Sequence, residues 1–324
     1  MKNTKTIALI SFTCLLIAGF IILKRITKKQ SNKQTTTIGI LQTASHPALD
    51  AAREGFVTEL KKNLDSKVEI IIRNGEGSVA NIHTIAEQFH ADRNLNGIFA
   101  IATPAAQAMA TVEDSRPIFI AAVTDPSALG IIHPTTNVCG TKDMIDVKAE
   151  VQMLVQLLPN AKTVGLLFNN GEINSVTMVK QMRAELEAHH IIPLEFAVNN
   201  EADLPTAADW AFFKTDVVLA PTDNMVASSI GLLASLAQKN KKPLIVSDNM
   251  LVKDGALAAR GVDYHESGKQ AARIALQVLI EGKKPYELPI EQTKSDNIYI
   301  NKSVLDTLGL TIPETLETKV VIVQ

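Results

Sequence analysis

Aromatic side chains are scarce: one Trp, three Tyr and ten Phe make up 4% of 324 residues. Too few are available for the stacking platforms that single-stranded nucleic acid needs. There is no excess of positive charge either. Lys and Arg number 32 against 34 Asp and Glu, giving a formal charge of −2, and no long basic stretch follows the N-terminal region. Nucleic acid is therefore excluded as the main partner. Only two cysteines occur, Cys14 and Cys139, and Cys14 lies in an apolar leader. The remainder holds a single thiol and no internal disulfide, with Cys139 read as a small core residue.

Enzyme signatures are missing as well. There is no G-x-x-x-x-G-K-[ST] phosphate loop, no G-x-G-x-x-G fingerprint and no G-x-S-x-G elbow. Gly75-Glu76-Gly77 follows a strand but lacks a third glycine, so it reads as a turn. His83 and His90 share a helix face two turns apart, too far for one metal ion, and His189-His190 end a helix where imidazolium is favourable. No catalytic residue, metal site or cofactor is expected. Trp210 is read as a core or packing residue.

What is present is apolar residue at 46% and charge at 20%, enough for real cores and without a bias to disorder. Residues 1–34 stand apart as a signal or membrane anchor with a polar spacer. Lys2 and Lys5 precede an apolar run from Ile7 to Leu23, and Lys24-Arg25 and Lys28-Lys29 follow it. An uncleaved anchor is favoured, because Ser11-Phe12-Thr13 before Cys14 do not suit lipidation. The basic residues after the run would by themselves keep the domain in the cytoplasm, so orientation is left to the folded part.

From residue 35 apolar runs alternate with amphipathic stretches. Strands are expected at 35–43, 68–74, 96–103 and 117–123, with helices between them, the first over 47–64. Residues 127–142 break the rhythm with Gly130, Pro134, Asn137 and Gly140. The alternation then resumes: strands at 162–169, 191–198, 216–220, 243–248 and 256–262, and helices at about 146–158, 203–213, 223–239 and 264–281. This is an α/β chain of two doubly wound parallel-sheet lobes with a hinged cleft between them. The expected division gives 35–126 plus about 263–285 to the N-terminal lobe, and 127–262 plus about 286–324 to the C-terminal lobe.

In open α/β sheets, ligands lie outside the carboxyl ends of the strands. Here those ends carry Ser45-His46, Thr103, Thr124-Asp125, Asn169 with Glu172-Asn174-Ser175, Thr222-Asp223 and Ser247-Asp248. Each is also a good helix cap, and Thr222, Asp223 or Asn224 could each start the helix after VVLA. As a set they suit a small zwitterion: hydroxyls, amides and helix-start N–H groups for a carboxylate, an aspartate for an ammonium. Asp223 or Asp125 is assigned to the ammonium, and Ser175, Asn174 and Thr103 to the carboxylate. His46 either binds or caps.

The stretches IGILQTASHPALDAAREGF, IATPAAQAMA, FIAAVTDPSALG, LLPNAKTVGLLFNNGEINS, APTDNMVASSI and PLIVSDNMLVKDGALAARGVDYHESGKQAA span most of residues 37–300. In their order and number they resemble the substrate-binding proteins of ABC transporters in the tryptophan/tyrosine/phenylalanine-type group, with the periplasmic-binding-protein type I fold. The resemblance implies an extracytoplasmic or membrane-anchored trap that delivers an amino acid, aromatic by family expectation, to permease subunits. Carried over, the cleft candidates are Thr103, Thr124, Asp125, Asn174, Ser175, Thr222, Asp223 and Asp248; the strand-end reading adds His46 and Glu172. A membrane-tethered sensor that signals through a protein partner would share the fold. A hydrolase or transferase lacks a nucleophile–base pair in the sequence.

Overall fold

The computed structural model describes residues 35–131, 133–293 and 297–324. The expected anchor at 1–34 lies outside the described residues. No described helix is long and apolar enough to cross a membrane.

Two sheets organise the chain. The first has the order β11-β5-β4-β3-β1-β2 and the second β13-β12-β10-β9-β8-β6-β7. In the first, β1 (Thr36–Gln42), β2 (Val68–Asn74), β3 (Gly97–Ile101), β4 (Ile118–Val123), β5 (Val138–Lys142) and β11 (Ile290–Gln292) alternate with α1 (Pro47–Leu64), α2 (Val79–Ala91) and α3 (Thr103–Val112). In the second, β6 (Thr163–Asn169), β7 (Ile192–Val198), β8 (Val217–Ala220), β9 (Leu244–Val246) and β10 (Ala258–Arg260) alternate with α4 (Val147–Leu157), α5 (Ile173–Ala188), α6 (Leu204–Lys214), α7 (Asn224–Ser228) and α8 (Ile230–Asn240). Then come α9 (Tyr264–Leu279), β12 (Ile298–Asn301), α10 (Lys302–Thr307), α11 (Glu314–Glu317) and β13 (Val320–Val323). The fold is the two-lobed type I periplasmic-binding-protein architecture. Among the described pairings only β10 with β12 is antiparallel.

Because successive strand residues face opposite ways, each central strand feeds two cores. Ile38, Ile40, Phe99 and Ile101 pack with α1 and α9, where Phe56 stacks on Phe99 at 3.7 Å between ring centroids. Leu41, Ile98 and Ala100 pack on the other face with α2 and α3. The second sheet is covered in the same way, by α4 and α5 on one face and α6 to α8 on the other. Strands buried on both faces read as continuous apolar runs, which is why they were visible in the sequence. Helices α1 and α9 approach closely through facing glycines: a Cβ on Gly268 would lie 1.9 Å from the Ala52 carbonyl oxygen, and one on Gly55 2.0 Å from that of His265.

The expected lobe division needs correction. Residues 138–142 are a strand of the first sheet, paired with β4, and 290–292 extend the same edge beside β5. The chain therefore leaves the first sheet after Lys142, not at 126. Gly140, read as a breaker, is a strand residue at φ +142°; a side chain there would meet the Ile120 carbonyl oxygen at 2.2 Å, beside a shift in strand register. The helix expected over 223–239 is two helices, α7 and α8, broken at Ser229. Trp210 is not core: it is 51% exposed and meets Phe213 edge-on at 5.8 Å. Cys139 is fully buried, and burial pushes its thiol up to about 12.

The chain passes between the sheets after Lys142, after Arg260 and after Gln292. These crossings are tied together by hydroxyls. Ser267 on α9 meets Thr141 at 2.9 Å and accepts from Thr293 at 3.0 Å, all three buried.

Candidate functional site

In each sheet the strand order reverses at one point, between β1 and β3 in the first and between β6 and β8 in the second. Helices leaving neighbouring strands at such a point depart to opposite faces and open a crevice at the carboxyl ends. His46 follows β1, Thr103 follows β3, Asn169 to Ser175 follow β6, and Thr222 to Asn224 follow β8. The two crevices face each other, and two cavities lie between them.

The inner cavity is narrow, with a free volume of about 20 Å³. On the first-lobe side it is lined by His46, Ala48, Leu49 and Ala122; on the other by Asn174, Thr222, Asp223, Asn224 and Asp248; Asp143 and Tyr264 close it from the crossing segments. The outer cavity, about 590 Å³, runs from Thr43 to Ser45, Ser78 and Thr103 on one lobe to Asn169, Glu172, Asn200 and Met225 on the other. Asn224 lines both. Among the described residues no lysine or arginine lines either cavity.

The first-lobe wall is a helix start. His46 is the N-cap of α1 and makes no side-chain cap bond, and Pro47 follows it. The first-turn N–H groups of Ala48 and Leu49 have no partner within the helix, and the helix dipole adds to their pull on an anion. The His46 ring instead crosses the gap: Nε2 lies 3.3 Å from Asn224 Oδ1, and burial lowers the ring's pKa and favours its neutral form. Ala122, at φ +57°, shapes the same wall, as Ala102, at φ +76°, shapes the start of α3.

The second-lobe wall is a network of acids and amides. Asp223 caps α7 by accepting from the Val226 N–H at 3.0 Å; it also accepts from the Ser175 hydroxyl at 2.7 Å and the Asn169 N–H at 2.6 Å. Asn174 donates to the Thr222 carbonyl at 2.9 Å and to Glu172 at 3.1 Å. Glu172 also accepts from the side chains of Asn169 and Asn224 and from the N–H groups of Asn224 and Met225. Burial, then the Asp223 charge, pushes Glu172 up to about 7. Asp248 accepts from the Met250 N–H at 2.8 Å and is raised to about 7 by burial and next by Asp143. Asp143 accepts from the Tyr264 hydroxyl at 2.9 Å; burial raises it to about 6. The Thr124 hydroxyl offsets part of that rise, though it makes no bond of ordinary geometry. Asn174 Oδ1, Asp143 Oδ1 and His46 Nδ1 are buried without a hydrogen-bond partner.

The sequence candidates separate accordingly. His46, Asn174, Thr222, Asp223 and Asp248 come together around the inner cavity, and Thr103 and Glu172 line the outer one. Ser175 stands behind Asp223, and Thr124 behind Asp143. Asp125 does not join them. It turns outward to accept from the N–H groups of Ser127 and Ala128, because the tight turn after Asp125-Pro126 leaves its carboxylate as the available acceptor. Asp143 and Tyr264 were missed. Asp143 follows the strand that had been read as irregular, and Tyr264 had been read only as the start of the helix at 264–281. Among the described residues no three His, Cys, Asp or Glu side chains are grouped to hold a metal ion.

A family model described as ABC transporter substrate binding protein matches residues 37–322. The chain belongs to this family. A tyrosine-binding protein of Clostridioides difficile (strain R20291) is 32% identical over 291 residues, 87% of this chain and 84% of the relative. A solved ABC domain in complex with L-Trp from Streptococcus pneumonia is 32% identical, with a TM-score of 0.84 over 89% of this chain and all of the other. A ligand-free, open structure of a substrate binding protein with adhesive properties from Clostridium difficile is also 32% identical over 89% of this chain and 99% of its own, but its TM-score is 0.66. At equal identity and nearly equal coverage, this substrate-binding protein superposes more closely on the L-Trp complex than on the open structure. The bond between His46 and Asn224 across the gap agrees with a closed form.

Proposed function

We propose that this substrate-binding protein closes its lobes over one α-amino acid and presents it to an ABC permease from the extracytoplasmic face, tethered by its N-terminal segment. One observation carries the reading: the inner cavity opposes an uncapped helix start on one lobe to buried carboxylates on the other. The carboxylate of the solute lies at the N–H groups of Ala48 and Leu49. Its ammonium lies at Asp248, with Asn174 Oδ1 as a neutral acceptor. This replaces the assignment of the ammonium to Asp223 or Asp125, since Asp223 is engaged as a cap and Asp125 faces away. The side chain extends past Asn224 into the outer cavity, whose volume falls in the range of small-molecule sites. The L-Trp and tyrosine relatives favour an aromatic side chain. Binding closes the lobes because each supplies groups to opposite ends of one molecule. No turnover is part of this reading.

Calorimetry of the full chain in detergent with L-tyrosine, L-tryptophan, L-phenylalanine and L-leucine tests it. The aromatic amino acids are expected to bind at micromolar levels or tighter, and their N-acetyl and amide derivatives to bind much more weakly. Derivatives that bind as well as the free amino acids would contradict it.

A further inference from the structure

Asp143 and Asp248 reach the inner cavity from different places. Asp143 begins the first crossing, its N–H bonded to the Val123 carbonyl at 3.2 Å. Asp248 follows β9 and caps the short turn Asn249–Leu251. They are 1% and 5% exposed, they line the same cavity with Tyr264, and the Asp143 charge raises the pKa of Asp248. The other titratable groups around the cavity are His46 from α1, Asp223 before α7 and Tyr264 from α9, with Asp254 acting on Asp248 from the following loop and Glu172 acting behind Asp223. The neutral donors bonded to the two carboxylates are the Met250 N–H and the Tyr264 hydroxyl. Among the described residues no lysine or arginine lines the cavity, and burial lowers the pKa of His46. Two carboxylates closed into such a space need a positive charge beside them or a proton on one of them.

Resting on the amino-acid reading above, we propose that Asp143 and Asp248 act as one acid pair that exchanges a bound proton for the ammonium of the solute. Closure then requires a positive charge at this spot, supplied by a proton in the empty form and by the ammonium in the loaded form. The solute arrives as R–NH3+, its N–H groups donate to the pair, and the displaced proton passes to the buffer; no covalent bond to the solute changes. The raised ionisation of both carboxylates agrees with the exchange. Asp143, which the sequence alone did not single out, becomes a specificity residue: a solute without a cationic head leaves the pair either protonated or unpaired.

The test is calorimetry of the full chain with L-tyrosine and L-tryptophan in two buffers of different ionisation enthalpy, at about pH 6 and about pH 8.5, ends of the window set by these carboxylates. The expected result is a buffer-dependent enthalpy at the lower pH that corresponds to release of close to one proton per solute. At the higher pH the dependence is nearly lost. Affinity weakens about tenfold per pH unit below about pH 6, the loss expected for competition with one proton. Asp143→Asn, which keeps a partner for Tyr264, reduces the proton release and flattens the pH profile. Binding with the same enthalpy in both buffers at the lower pH would overturn the exchange and leave the amino-acid reading standing. No binding of any α-amino acid at either pH would overturn both.

Discussion

The two lobes share a fold yet bring opposite chemistry to the gap. Around the inner cavity the first offers a helix start and the His46 imidazole, whose pKa burial lowers; the second offers carboxylates and amides. Its acids are not simply a charged patch. Asp223 and Glu172 are each held by several donors and stabilise the local backbone, whereas Asp248 accepts from the Met250 N–H and Asp143 from the Tyr264 phenol. The difference separates groups that build the wall from groups with capacity left for a solute. A zwitterion fits that asymmetry, because its two ends need the two lobes at once.

The largest expected effect comes from breaking the acidic side. Asp248→Asn removes the charge but keeps the shape, and truncating a buried charged contact costs about 2–5 kcal/mol of binding. Calorimetry should show a loss of at least thirtyfold, roughly 2 kcal/mol at 1.4 kcal/mol per tenfold. The empty variant should nonetheless melt at a higher temperature than the parent, since an unfavourable buried carboxylate has gone; a variant that loses both stability and affinity would point to a structural role instead. Next is Asn174→Ala. It removes the free Oδ1 and the bonds to Thr222 and Glu172, and should weaken binding by about 1–2 kcal/mol. His46→Ala removes the interlobe bond while leaving the α1 N–H groups in place. About 0.5–1.5 kcal/mol of closure is lost, seen as a larger radius of gyration of the loaded protein in scattering. Smallest is Asp125→Ala, which should leave affinity unchanged and cost about 1 kcal/mol of stability through the lost turn cap.

A pH series sharpens the same contrast. Folded Asp143, Asp248, Glu172 and Glu150 all ionise at higher pH than ordinary carboxylates, at about 6, 7, 7 and 8, because burial disfavours the charge. Groups raised in this way contribute stability that is complete below their unfolded pKa and lost as pH rises through the folded value. The melting temperature of the empty protein should therefore fall between about pH 5 and pH 8. A bound amino acid should reduce the part of that fall due to Asp143 and Asp248 and leave the part due to Glu150, which is buried beside Arg260, largely intact.

Much of the fold was readable because its central strands are buried on both faces and so appear as uninterrupted apolar runs, such as VVLA and IFIAAV. The capping chemistry that marks helix starts also marked His46, Thr103, Asn174, Thr222, Asp223 and Asp248 as strand-end groups. What remained hidden depends on distant partners. β5 is recognisable only from its pairing with β4, since Gly140 gives it the look of a loop. Its misreading hid Asp143, which follows directly, and moved the lobe boundary. Asp125 and Asp248 look alike in the sequence; only the direction of the turn after each separates a surface cap from a cavity wall.

The most direct measurement is a solved complex with L-tyrosine or L-tryptophan. The account predicts the ammonium within about 3 Å of Asp248, an ordinary hydrogen-bond distance, the carboxylate at the N–H groups of Ala48 and Leu49, and the ring beyond Asn224. An amino acid lying wholly in the outer cavity, with its ammonium on Glu172 and no contact to Asp248, would contradict it.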